Sequence, residues 1–201
     1  AKLADGKIWM TKNLNLAGDT EITSELSDIP ENYTLPTANG FQEGNRLPRS
    51  SQIGFDNNTI AYVYNSGNNT DNCTSPGCYS YYSWNAVTAG SGINIAANTD
   101  APYSICPRGW RLPNSTNSDF SGLVAVYGSG ENFYHNAGPG TVANFLPAGN
   151  VGGFGSGSGL YYISTSTNGT VSKIMRFWPT FVYSSTDFYK KSGLSVRCLA
   201  R

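Results

Sequence analysis

Ile105-Cys-Pro-Arg-Gly-Trp-Arg-Leu-Pro113, in the middle of the chain, and Gly193-Leu-Ser-Val-Arg-Cys198, near its end, carry the two cysteines on which the reading of the fold turns. In the second stretch Leu194, Val196 and Cys198 alternate with Ser195 and Arg197. That pattern predicts a strand with one apolar face. Its inward face would aim Cys198 at the core, towards Cys106. The other two cysteines, Cys73 and Cys78, flank Thr-Ser-Pro-Gly and are spaced to close a small loop. Four cysteines allow three pairings, and closing the small loop leaves Cys106 with Cys198. Four free, buried thiols is the competing reading. A zinc site has little support, because the single histidine, His135, stands near no second pair of ligands. Two disulfides imply an oxidising compartment, so a secreted or surface-displayed protein is expected.

Working outward, composition excludes several classes. The chain has 201 residues, equal numbers of acidic and basic side chains, and only 13% charged residues. Gly, Ser, Asn and Thr fill 84 positions. With no basic excess to neutralise phosphates, a nucleic-acid binder is not expected. No apolar run approaches the length of a membrane span. The 26 aromatic residues, half of them tyrosine, are too many for a disordered chain. A neutral, loop-rich domain spanning 1–201 remains. The start at Ala1, without Met, suggests a processed precursor.

Along the chain, Gly6–Leu16 reads as a strand and its exit, and residues 17–60 as polar loops with a helical turn near 21–28. Ile60–Tyr64 reads as a strand. Tyr79–Ala89 starts extended and ends in a short helix before Gly90. The clearest helix follows Pro113. Ser118 can cap it, Phe120, Leu123, Val124 and Tyr127 share one face, and Gly128 ends it. Residues 128–160 read as a Gly-rich loop. It lacks the Gly-Lys-Ser/Thr of a phosphate cradle. The last 45 residues read as strands joined by turns, with Val171–Trp178 one of them.

These segments carry a resemblance. The run Ile105–Pro113, the helix after it and the closing Gly193–Cys198 resemble the Fibrobacter succinogenes major paralogous domain family, also found in Saccharibacteria surface proteins. The opening Gly6-Lys-Ile-Trp-Met-Thr-Lys-Asn-Leu14 is similar to that family's W-M-x-x-N-L start. Tyr81-Tyr-Ser-Trp-Asn-Ala-Val-Thr-Ala-Gly90 is similar to its Y-x-W-x-A-x-x-A segment. The resemblance covers nearly the whole chain. It implies an α+β domain of C-type-lectin-like fold, of the formylglycine-generating type, with a small twisted antiparallel sheet, two short helices and long loops. One departure is Ile8, where relatives carry a cysteine. Such domains also serve as variable proteins of diversity-generating retroelements. Tyr161-Tyr-Ile-Ser-Thr-Ser166 and Met175-Arg-Phe177 resemble the anchors around the diversified stretch of those proteins.

The implied function is ligand binding, in adhesion or recognition, through a C-terminal surface. Its candidate residues are Tyr161, Tyr162, Ile163, Lys173, Ile174, Arg176, Trp178, Thr180, Phe181, Tyr183, Asp187, Phe188 and Tyr189. Alternation supports part of this set. If Met175 and Phe177 point inward, Ile174, Arg176 and Trp178 point outward, and with Val182 inward Phe181 and Tyr183 do too. Arg, Trp and Tyr dominate binding hot spots. The competing reading packs these aromatics under the Gly-rich loop, since a one-residue slip exchanges the faces. The expected partner is a protein or glycan on another cell or a phage surface, with no cofactor and no metal. A surface or pilus-associated scaffold without a ligand is the alternative. A formylglycine-generating-type enzyme is less favoured, because no Cys/His or Ser/His/Asp set can be assembled and His135 reads as a loop residue. Calcium-dependent sugar binding lacks its usual Glu-Pro-Asn, Gln-Pro-Asp and Trp-Asn-Asp signatures. Asp56, Asp71 and Asp100 show no ligand spacing.

Overall fold

A computed structural model describes residues 1–49, 61–65, 80–148 and 159–201. The elements follow in the order β1 (Ser27–Asp28), β2 (Val63–Asn65), β3 (Ser80–Tyr82), α1 (Trp84–Val87), β4 (Ser104–Pro107), β5 (Trp110–Arg111), α2 (Asp119–Tyr127), α3 (Glu131–Ala137), β6 (Gly159–Ser166), β7 (Val171–Trp178), β8 (Phe181–Tyr189) and β9 (Leu199–Ala200). Thr37–Asn39 adds a single 3-10 turn. β1 pairs with β4, β2 with β3 and β5 with β9, while β6, β7 and β8 form a three-stranded sheet. All of these pairings are antiparallel. The described chain is a small α+β domain with antiparallel sheets and three short helices.

The three-stranded sheet divides the core in two. β6 is buried at every position. Leu160 and Tyr162 face one cluster with Tyr82, Trp84, Ile105 and Leu194. Tyr161 and Ile163 face the other, with Trp9, Phe120, Phe133, Phe145 and Phe177. A strand covered on both faces needs apolar residues at consecutive positions, which explains the unbroken Leu-Tyr-Tyr-Ile run. Gly159, which starts β6, lies against Phe177, whose ring carbon would come 2.0 Å from an added Cβ.

Cys106 and Cys198 form a disulfide with their Cα atoms 5.9 Å apart. It closes a sequence separation of 92 residues. Loop-closure entropy assigns such a link about 4–5 kcal/mol. The expected small-loop pair, Cys73 and Cys78, lies outside the described residues. Leu194, Val196 and Cys198 all enter the first cluster, on the expected face. They do not, however, form a continuous strand. Bridges occur at Leu194 with Tyr82 and at Ser195 with Tyr161, and the ladder resumes only at Leu199. Between them, Leu14 N–H donates to the Val196 carbonyl and Met10 N–H to the Cys198 carbonyl.

The N-terminal segment departs in the same way. Ile8 and Trp9 make isolated bridges to Lys2 and Leu199 rather than a strand. Trp9 is completely buried, and its indole N–H is held by Asp5 at 2.9 Å. Expected elements that do form include β2, β3, β7 and α1. The Ser83 hydroxyl caps α1 by accepting the Ala86 N–H at 3.3 Å. α2 runs to Tyr127 and stops at Gly128, with Phe120 and Leu123 buried. Ser118 occupies its N-cap position but makes no side-chain cap, because its backbone sits at φ 50°. Asp119, the first residue of the helix, is fully buried and ties it to neighbouring segments instead. Its carboxylate accepts the Asn114 N–H at 2.7 Å, Lys7 Nζ at 2.5 Å and Arg111 Nη1 at 2.6 Å. Burial alone would raise the Asp119 pKa, but these donors outweigh it and hold the carboxyl below its usual range.

α3 corrects the reading of 128–160 as one loop, and it carries His135 on a helix. Phe133 and Ala137 are its buried positions. The helix could start only at glycine. Gly130 has φ 59°, and a Cβ there would come 2.8 Å from the Thr180 carbonyl. This close approach seats the start of α3 on the β7–β8 turn. The Gly-rich run 149–158 lies outside the described residues.

Candidate functional site

The β7–β8 hairpin turns through Pro179 and Thr180. Trp178 pairs with Phe181, Phe177 with Val182, and Arg176 with Tyr183. Side chains on paired residues share a face. The hairpin therefore presents Arg176, Trp178, Phe181 and Tyr183 on one side, with Phe177 and Val182 turned into the second apolar cluster. The four form a continuous ladder. The Arg176 guanidinium lies 3.7 Å from the Trp178 ring centroid. Trp178 and Phe181 are 4.2 Å apart at 37°, and Phe181 and Tyr183 are 5.3 Å apart at 56°. Arg176, Trp178 and Phe181 are half-buried, while Tyr183 is 57% exposed.

Beyond this ladder the register shifts between Ile174 and Arg176, so that Ser184 and Ser185 together span the place opposite Met175. The extra residue is a β-bulge. It allows Lys173 to pair with Asp187 and Val171 with Tyr189 on the opposite face of the hairpin. Lys173 Nζ reaches Asp187 Oδ1 at 2.6 Å, and the Thr167 hydroxyl donates to the same oxygen at 2.9 Å. The lysine holds the Asp187 carboxyl below its usual pKa range. Asp187, Phe188 and Tyr189 border a depression of about 230 Å³ with Val171. Thr180 is exposed in the turn.

The structure thus divides the thirteen candidates. Arg176, Trp178, Phe181 and Tyr183 meet on one face. Lys173, Asp187 and Tyr189 stand at the other end on the reverse face. Phe188 is half-buried against the first cluster. Four candidates are corrected outright: Tyr161, Tyr162, Ile163 and Ile174 are buried. Ile174 does share the face of Arg176 and Trp178, as alternation required, but that face is covered at 174 and emerges only at 176. Tyr161 is fixed by its hydroxyl, which donates to the Leu146 carbonyl at 2.9 Å and accepts the Leu146 N–H at 2.9 Å. The Tyr162 hydroxyl donates to the Ser192 carbonyl at 2.5 Å. Both phenols are structural pins.

Two buried cations escaped the sequence reading. Arg197, fully buried, donates to the carbonyls of Met10, Ala143 and Asn144, each at 2.8 Å, and to Asn13 Oδ1 at 2.7 Å. Its guanidinium lies 4.5 Å from the Phe145 ring. Lys190, 2% exposed, donates to the Ser166 hydroxyl at 2.9 Å and lies 4.2 Å from the Trp84 ring. Burial pushes its pKa down to about 8. Their positions in the chain, one beside the last cysteine and one at a strand end, offered the only signal.

Other clefts lie elsewhere. One of about 560 Å³ is lined by Asp28, Glu31, Arg108 and Arg201 among others, and one of about 430 Å³ runs along residues 9–15 beside Trp110. Burial raises the Asp28 pKa, against the opposing pull of Arg201. Asp100 is engaged by the hydroxyls of Thr165, Ser164 and Thr116. Asp56 and Asp71 lie outside the described residues. Among the described residues no three His, Cys, Asp or Glu side chains are grouped so as to hold a metal ion, and no helix is long and apolar enough to cross a membrane. Comparison with protein-family models, with curated proteins and with solved structures finds no match to this chain.

Proposed function

We propose that this chain is a secreted or cell-surface recognition domain of C-type-lectin-like fold, which binds a macromolecular ligand through the Arg176–Trp178–Phe181–Tyr183 ladder. The observation that carries the reading is the run of three hot-spot-type side chains, Arg176, Trp178 and Tyr183, linked through Phe181 on a partly exposed hairpin, while most other large aromatics among the described residues are spent on two cores. Stacking fixes the rotamers in advance, so less side-chain entropy is lost on binding. The disulfide supports export.

The test is flow cytometry of a mixed bacterial culture stained with the fluorescent chain. Staining is expected to fall by about tenfold or more for Trp178→Ala and for Tyr183→Ala, as for hot-spot residues. It should survive Lys173→Ala, on the reverse face. Equal staining by all variants, or none by the parent chain, sinks the proposal and leaves a scaffold role in its place.

A further inference from the structure

We infer that Asn168, in the turn between β6 and β7, is a self-modifying site, where the backbone nitrogen of Gly169 closes on the Asn168 side-chain amide and the turn itself promotes the loss of ammonia.

The chain holds two Asn-Gly pairs, Asn39-Gly40 and Asn168-Gly169. Glycine puts no side chain beside the attacking nitrogen, so both are candidates for ring closure. They are built differently. Asn168 is exposed, in a turn fixed by the Thr167 and Asn168 N–H groups, which donate to the Val171 carbonyl at 2.9 and 3.1 Å. Its Oδ1 accepts three hydrogen bonds, from the Thr170 N–H at 2.8 Å, the Val171 N–H at 2.9 Å and the Thr170 hydroxyl at 3.0 Å. These donors surround the atom on which negative charge develops when the amide carbon is attacked, as in an oxyanion hole. They also hold the amide over the residue that follows it, which removes the rotamer search before attack. The Gly169 N–H has no hydrogen-bond partner among the described residues. A Cβ added at Gly169 would meet nothing within 4 Å, so the approach is open. At the other pair, the Gly40 N–H is committed to the Thr37 carbonyl at 3.0 Å.

The step balances with water alone. A bond forms between Gly169 N and Asn168 Cγ, the Cγ–Nδ2 bond breaks, and the Gly169 amide proton leaves with Nδ2 as ammonia. Water then opens the cyclic imide at either carbonyl and gives aspartate or isoaspartate at position 168. The aspartate product suits the turn, because its carboxylate can accept the same three donors. It adds a negative charge one residue from Thr167, whose hydroxyl is bonded to Asp187.

The experiment ages the folded chain, and the chain reduced and unfolded in guanidinium chloride, in the same mildly alkaline buffer. Mass spectrometry follows the peptides that carry Asn168 and Asn39. In the folded chain Asn168 should convert about tenfold or more faster than Asn39. It should also outpace Asn168 of the unfolded chain, where the two sites should become alike. Thr170→Val removes one donor to Oδ1 and should slow conversion of the folded chain by about tenfold, with no change in the unfolded one. Gly169→Ala fits the turn and should slow conversion while leaving the circular dichroism spectrum unchanged. Asn39 converting as fast as Asn168 in the folded chain overturns the proposal. So does folding that slows Asn168, or a folded Thr170→Val chain that converts at the parent rate.

Discussion

Arg176 and Arg197 lie in neighbouring parts of the sequence, and each guanidinium sits over aromatic rings. Their surroundings differ in every other respect. Arg197 is sealed between residues 10–13 and residues 143–145, over Phe145, with donors directed at three backbone carbonyls and an amide oxygen. Arg176 rides on Trp178 at the edge of solvent, on a hairpin tip held to the body through Gly130 and Phe177. Arg197 joins segments distant in sequence, while Arg176 stacks on a residue two positions along its own strand. The same residue type thus serves structure in one place and, on the proposed reading, recognition in the other. Arg satisfies the first role because its planar fork matches several acceptors at once.

That contrast can be broken at several points. The largest effect is expected at Arg197. Arg197→Leu would orphan three carbonyls, that of Ala143 buried and those of Met10 and Asn144 part-buried, each costing about 1–3 kcal/mol, so a loss of about 5 kcal/mol in urea unfolding is expected. Cys106→Ser with Cys198→Ser should cost about 4–5 kcal/mol by the loop-closure estimate. Reduction of the parent chain should lower the urea midpoint in the same direction. Asp119→Asn would leave the Lys7 and Arg111 charges without their buried partner, at a cost of about 3–5 kcal/mol.

Lys190 should act in the opposite direction. Its pKa is about 8 in the folded protein against an ordinary 10.5. The unfolded chain therefore binds more protons between those values. Stability from this group should rise as pH increases from 8 to 10.5, and the cost of the buried charge should be fully present below pH 8. Lys190→Met should raise the melting temperature at pH 7 and flatten that alkaline rise. Each kcal/mol gained corresponds to roughly 2–4 °C in a domain of this size. An unchanged pH profile in Lys190→Met would show that the ammonium is not desolvated. The smallest stability effect is expected on the ladder. Arg176→Lys exchanges a stacked guanidinium for a point charge, and its unfolding free energy should stay within about 1 kcal/mol of the parent.

Local patterns were legible in the sequence, and long-range ones mostly were not. β7, the extended start and helical end of 80–87, and the apolar face of α2 follow from period and capping chemistry that neighbours decide. The Cys106–Cys198 link was legible because elimination among four cysteines and the inward face of 194–198 agreed. The same stretch does not run as one strand, because its backbone changes partners from Tyr82 and Tyr161 at Leu194 and Ser195 to Leu14 and Met10 at Val196 and Cys198, which alternation cannot see. α3 was hidden by the glycines around it, although Phe133 and Ala137 stand four apart. On the hairpin, alternation sorted 174–178 between faces correctly. It could not tell that Ile174 is buried in the first cluster while Arg176 and Trp178, on the same face, are half-buried. Exposure is a property of what packs on a strand, so the candidate surface shrank from thirteen residues to a four-residue ladder and a separate reverse-face group.

If the ladder is a recognition surface, it is spare to the fold. The most direct measurement is the urea unfolding free energy of Trp178→Ala combined with Tyr183→Ala, taken beside the staining of the same protein. The account predicts a loss within about 1.5 kcal/mol, typical of exposed aromatic pairs, together with loss of staining. A loss of about 3–5 kcal/mol, the cost of truncating core aromatics, would place these side chains in the core and contradict it.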